Sequence, residues 1–194
     1  MPSHVSPQPR HGGVSSPPSR ASLYLEPWQA AGLEAGKFFP ALHSGLSDPF
    51  APDDVANAEP PADGRIASAG QAFAAVLDEP RADWDKHPVR AGETLEVVWH
   101  FHAPHKTRRF SYFLTTDGWN PEKPLARAQF PAEPIATFQN NEQPFWEHDL
   151  LPADPTVHHV PLPEDRSGYH VLLAVWEVAD TPNAFYQVID LDLT

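Results

Sequence analysis

From Thr94 onward the chain is cut into short apolar runs separated by turn residues, a spacing that admits strands and little else. Leu95, Val97, Trp99 and Phe101 alternate with Glu96, Val98, His100 and His102, the period of two that sends alternate side chains to opposite faces of a strand. Residues 109–115, 156–162, 169–178 and 185–193 read as four more strands, with a turn at 104–107. The run 169–178 is apolar on both faces, which predicts a central strand. Gly118, Gly168 and Pro182-Asn183 mark the breaks. The 24 prolines and 10 glycines among 194 residues argue against a helical bundle. The pattern predicts an all-β fold, an antiparallel β-sandwich.

Residues 24–63 show little alternation. Short helical turns fit around 29–34, followed by a Pro- and Asp-rich stretch at 48–63. This reads as a long irregular loop region with short helices, an excursion from the scaffold of a length that is functional or disordered in compact domains. Residues 1–10 hold three prolines and no apolar centre. They read as a disordered extension and lack the features of a secretory signal.

Composition narrows the partners. A net charge of −13 argues against nucleic acid and anionic membrane, and no apolar run is long enough to span a bilayer. Without cysteine there is no disulfide and no thiolate metal site.

Eleven histidines in an acidic chain raise the question of a metal. His100, His102 and His105 form the densest group. Alternation puts the first two on one outer strand face, where polar histidines are unremarkable, and His105 at the turn beyond. His158 and His159 point to opposite faces and do not share a ligand. No His-Glu-x-x-His pattern, phosphate loop or nucleophile elbow occurs.

The segment His11-Gly12-Gly13-Val14-Ser15-Ser16-Pro17-Pro18-Ser19-Arg20 resembles the mature amino terminus of the bacterial lytic polysaccharide monooxygenases of auxiliary activity family 10, the chitin-binding protein type. Further motifs follow in the family's order: Pro61-Ala-Asp-Gly-Arg-Ile-Ala-Ser-Ala69, His105-Lys-Thr-Arg-Arg-Phe-Ser-Tyr-Phe113, Trp119-Asn-Pro-Glu-Lys-Pro-Leu-Ala-Arg-Ala128, and the run from Arg166 through Trp176 and Asp180 to Asn183-Ala-Phe-Tyr-Gln187. The resemblance covers His11 to the end of the chain. The absence of cysteine departs from many relatives.

The resemblance implies a fibronectin III/immunoglobulin-like sandwich with a flat face and one copper ion in a histidine brace. His11 would give its amino group and Nδ1, and His105 its Nε2, a nitrogen set that suits copper. Phe185 would occupy an axial position and Ala103 would crowd the opposite side. Glu34 would be the acid beside the metal, and Trp176 would pack beneath it. Trp28, Asp180 and Asn183 would lie on the substrate face, Trp28 exposed for stacking on sugar rings. By residue type alone, Phe185 and Trp176 are core residues, Glu34 a solvated charge, and Asp180 and Asn183 turn formers.

The implied activity is copper-dependent oxidative cleavage of glycosidic bonds in crystalline polysaccharide. Chitin attacked at C1 is the first expectation and cellulose the next, with an external electron donor and O2 or H2O2 as co-substrate. The implied protein is secreted and monomeric. The brace needs a primary amine, because an amide nitrogen has its lone pair delocalised. Residues 1–10 are therefore expected to be absent from an active mature form, with residues 11–194 the catalytic domain. Two other readings stay open: a non-catalytic chitin-binding or adhesion module using the same face, favoured if residues 1–10 are retained, and an intracellular or effector-like descendant without the brace.

Overall fold

A computed structural model describes residues 11–42 and 59–194. The extension at 1–10 and most of the Pro- and Asp-rich stretch lie outside the described residues. Among the latter, nine strands form two sheets. The strands are β1 (Gly12–Ser16), β2 (Glu34–Gly36), β3 (His87–Val89), β4 (Thr94–Phe101), β5 (Thr107–Leu114), β6 (Ala136–Gln139), β7 (Thr156–Pro161), β8 (Gly168–Val178) and β9 (Asn183–Leu193). One sheet has the order β1-β4-β7, the other β2-β9-β8-β5-β6. The all-β sandwich holds, and β8 is central, flanked by β9 and β5.

One pairing departs from the antiparallel expectation. β3 runs parallel to β9, with His87 opposite Leu191. The edge of β9 is shared: β2 covers its first residues and β3 its last.

The main core lies between the sheets. Leu95, Val97, Trp99 and Phe101 point inward from β4 against Phe110, Tyr112, Leu172, Ala174 and Trp176 of the facing sheet, each large apolar side chain contributing roughly 1.5–3 kcal/mol by leaving water. A second core covers the other face of the same sheet, where Val171, Leu173, Val175 and Tyr186 meet Leu33, Phe39, Ile66 and Leu77. This explains why β8 is apolar on both faces. The described parts of the irregular region pack into this second core.

That second core also takes in α1 (Arg20–Tyr24), α2 (Pro27–Ala30) and a 3-10 helix at Ala72–Asp78, of which only α2 falls within 24–63. Ser19 caps α1 by accepting from Ser22 N. Pro27 opens α2, with its φ already helical, and the Gln29 side chain accepts from Glu26 N at 3.1 Å. α2 stops at Ala30, short of the helical turns expected over 29–34. Leu33 O instead accepts from Tyr186 N at 2.9 Å, and the backbone turns into β2. Glu34, expected in a loop, therefore opens a strand.

Arg20 ties this region to the sandwich. It is buried and grips Asp190 of β9 through Nε and Nη2 at 2.9 and 2.6 Å. Its Nη1 donates to Leu77 O at 2.8 Å, and Tyr169 donates to Asp190 Oδ1 at 2.7 Å. The ion pair is fully hydrogen-bonded, the condition under which a buried charge pair is tolerated.

Candidate functional site

His11 enters the site at the head of β1. Gly12, directly after it, lies opposite Phe101 in the β1–β4 ladder. A Cβ on Gly12 would stand 2.6 Å from Phe101 Cδ1 and 2.9 Å from Trp176 Cζ3, so only glycine lets β1 lie this close to the aromatic core. His11 O accepts from His102 N at 2.8 Å and from Ala103 N at 3.3 Å. Residue 11 is thereby fastened to the turn that carries Ala103 and His105.

Two aromatic residues of the core support the two histidines. The Phe185 ring centroid lies 6.4 Å from that of His11 and 5.8 Å from that of His105. Trp176 stacks on Phe185 at 4.8 Å and lies 5.8 Å from His105. Its Nε1 donates to Thr107 Oγ1 at 2.8 Å, and that hydroxyl donates to His105 O at 3.3 Å. Thr107 thus fixes the indole and the main chain at His105. His105 is buried and His11 half-buried.

Glu34 lies opposite Phe185 in the β2–β9 ladder. Its Oε1 accepts from Asn183 Nδ2 at 2.7 Å, and its main-chain oxygen accepts from Gln71 Nε2 at 2.6 Å. Burial holds the His11 ring below the ordinary imidazole value; Glu34 opposes that shift and His102 adds to it. Glu34 is close enough to act on His11 electrostatically.

Trp28 sits on α2 with 65% of its surface exposed, 5.9 Å from the Phe73 ring. It reaches the site through Gly32, whose Cβ position would lie 3.2 Å from Trp28 O and 3.7 Å from His11 Cε1. Asp180 and Asn183 flank the turn between β8 and β9, and Asp180 Oδ1 is buried without a hydrogen bond among the described residues. His11, His105, Phe185, Glu34, Asn183 and Ala103 are therefore brought together, with Trp28 beside them through Gly32 and Asp180 in the β8–β9 turn.

Thr107, Gln71 and Gly32 escaped the sequence reading. Gln71 reaches Glu34 across 37 residues, and no local pattern could announce it. Gly32 gave a weak signal as a glycine within an expected helical turn.

The His11 Nδ1 atom is buried and has no hydrogen-bond partner among the described residues. No group of three or more His, Cys, Asp or Glu among those residues could hold a metal ion, so a metal here would draw on fewer side chains. Imidazole nitrogens suit zinc, copper, iron or nickel.

Comparison with known proteins assigns the family. The model of a family described as lytic polysaccharide mono-oxygenase, cellulose-degrading, matches residues 11–191. The chain is 34% identical over 194 residues to GlcNAc-binding protein A of Shewanella oneidensis, covering 95% of this chain and 36% of that protein. It is 42% identical over 133 residues to the protein of that name in Vibrio cholerae, covering 68% and 25%. The chain thus spans about a quarter to a third of the length of the curated relatives it matches. Among solved structures, a chitin binding domain from Burkholderia pseudomallei shares 51% identity with a TM-score of 0.89, over 96% of this chain and all of that one. The catalytic domain of a lytic polysaccharide monooxygenase from Listeria monocytogenes shares 36% with a TM-score of 0.75, over 95% and 99%. Bacillus amyloliquefaciens CBM33 in complex with Cu(I) shares 38% with a TM-score of 0.68, over 95% and 100%. The fold, the site and these likenesses lead to one assignment: the chain belongs to the lytic polysaccharide mono-oxygenase family.

Proposed function

We propose that this domain, once His11 carries a free amino group, cleaves glycosidic bonds of crystalline chitin oxidatively at C1 and acts as a secreted monomer. The observation that carries the reading is the joint placement of His11 and His105 over Phe185, with a buried His11 Nδ1 left for a metal. The His11 amine and Nδ1 and the His105 Nε2 would hold one copper ion, which supplies one-electron chemistry and O2 or H2O2 activation when bound.

The rest of the work falls to the chain. Phe185, fully buried beneath both imidazoles, keeps water from one side of the site. Ala103 leaves only a methyl group at the turn fastened to His11. The Glu34 carboxylate, aimed by Asn183, positions a proton-bearing group beside His11. Trp28 offers an exposed indole for a sugar ring. Asp180 and Asn183 complete the face that meets the chain of an insoluble substrate. The names of the Burkholderia and Vibrio relatives support chitin, while the family description keeps cellulose as the second substrate.

Those same names favour one other reading, a chitin-binding module without catalysis. Incubating the chain begun at His11 with chitin, copper, a reductant and H2O2 separates the two. Soluble oligosaccharides carrying an aldonic acid end, identified by mass spectrometry, support C1 cleavage. Adsorption to chitin with no oxidised product supports the module.

A further inference from the structure

Two exposed histidines near the site have no part in the reading above. Side chains two apart on a strand share a face, their Cα atoms about 6.6–6.8 Å apart, which places His100 and His102 together on the outer side of β4. The pairing continues past the end of the strand, because His102 N donates to His11 O at 2.8 Å. Both residues line one cavity of about 210 Å³. Gly13 stands opposite His100 in the ladder and has no side chain to fill that space. Gln187, itself buried, contributes an Oε1 with no hydrogen-bond partner among the described residues.

The His100 ring is held as a ligand would be. Its Nδ1 lies 3.1 Å from Asp154 Oδ1, and the same oxygen accepts from Phe101 N at 3.3 Å. An ionised carboxylate only accepts, so in the neutral ring the proton sits on Nδ1 and the lone pair on Nε2. A carboxylate behind an imidazole is the common support of metal-bound histidine, and it fixes the ring.

We propose that His100 and His102 form a second transition-metal site, a two-imidazole chelate for Cu(II) completed by water, on the outer face of β4. Imidazole suits copper, and Cu(II) binds most tightly in the first-row divalent series. The site requires no amino group, so it forms whether or not residues 1–10 are attached and does not depend on the brace.

Titration of the full chain with Cu(II), followed by calorimetry and electron paramagnetic resonance, tests this. A His11→Ala chain is expected to keep a copper equivalent with a nitrogen-coupled signal. Adding His100→Gln and His102→Gln to that chain should lower the number of bound ions by one and leave the melting temperature unchanged, since both side chains are exposed. Asp154→Asn should weaken the same equivalent about tenfold. A copper count and signal unchanged by the double substitution would overturn the proposal, as would the absence of copper binding in the His11→Ala chain.

Discussion

Asn183 aims the carboxylate of Glu34 from across the β2–β9 edge, its Nδ2 2.7 Å from Oε1. Glu34 faces Phe185 and Asn183 faces Gly36 in the ladder, so this bond runs diagonally and is made by side chains alone. Asn183→Ala should free the carboxylate without disturbing the strands. Release of oxidised oligosaccharides from chitin is expected to fall about 10–100-fold, the usual effect of losing a group that orients a metal-site residue. The melting temperature should stay where it is.

Trp28 is predicted to act on binding alone. Its indole is 65% exposed and touches Phe73 at the surface, so truncation leaves the cores intact. Trp28→Ala should weaken adsorption to chitin by roughly 1–2 kcal/mol, about tenfold. Binding isotherms on insoluble chitin measure the effect.

Gly12→Ala is predicted to destabilise the fold. The added methyl meets Phe101 and Trp176 below van der Waals distance, and both rings are buried. Overpacking of this kind costs about 1–3 kcal/mol. Urea unfolding should show a lower midpoint with an unchanged slope.

Much of this architecture was legible because long strands carry their own signal. Alternation in 94–102 reports a strand with one face in the sandwich core, and the uninterrupted apolar run of β8 reports burial on both faces. β1, β2, β3 and β6 gave no such signal. β2 has three residues, Glu34, Ala35 and Gly36, and owes its extended form to β9. Glu34 was accordingly expected in a loop. Its neighbours Asn183 and Gln71 come from 149 and 37 residues away, and only the folded sheet edge brings them together. His11, Ala103, His105 and Phe185 were named through resemblance; strand periodicity alone places Phe185 in the core and says nothing of metal.

Acid should destabilise the fold through His158. Its ring is buried between β5 and β7, stacked on Phe138 at 4.1 Å with Nδ1 2.6 Å from the Tyr112 hydroxyl. Burial lowers its pKa to about 4. The unfolded chain binds this proton more readily than the folded one, so the contribution is fully present above about pH 6.5 and is lost as pH falls towards 4. The loss reaches roughly 3 kcal/mol. His170, also lowered by burial, acts in the same direction. His158→Gln should flatten the decline of unfolding free energy between pH 6.5 and 4.

The Arg20–Asp190 pair should be intolerant of single truncation. Both side chains are almost wholly buried, and removing one leaves the other charge unpaired at a cost of about 3–5 kcal/mol. Arg20→Ala is expected to lower the melting temperature strongly, and chitin activity at low temperature should fall less.

The most direct test compares copper affinity between the chain begun at His11 and the chain begun at Met1. The His11 form is expected to bind one ion far more tightly, and His105→Ala to lose that tight ion. Equal copper affinity in the two forms, or a tight ion that survives His105→Ala, would contradict that expectation.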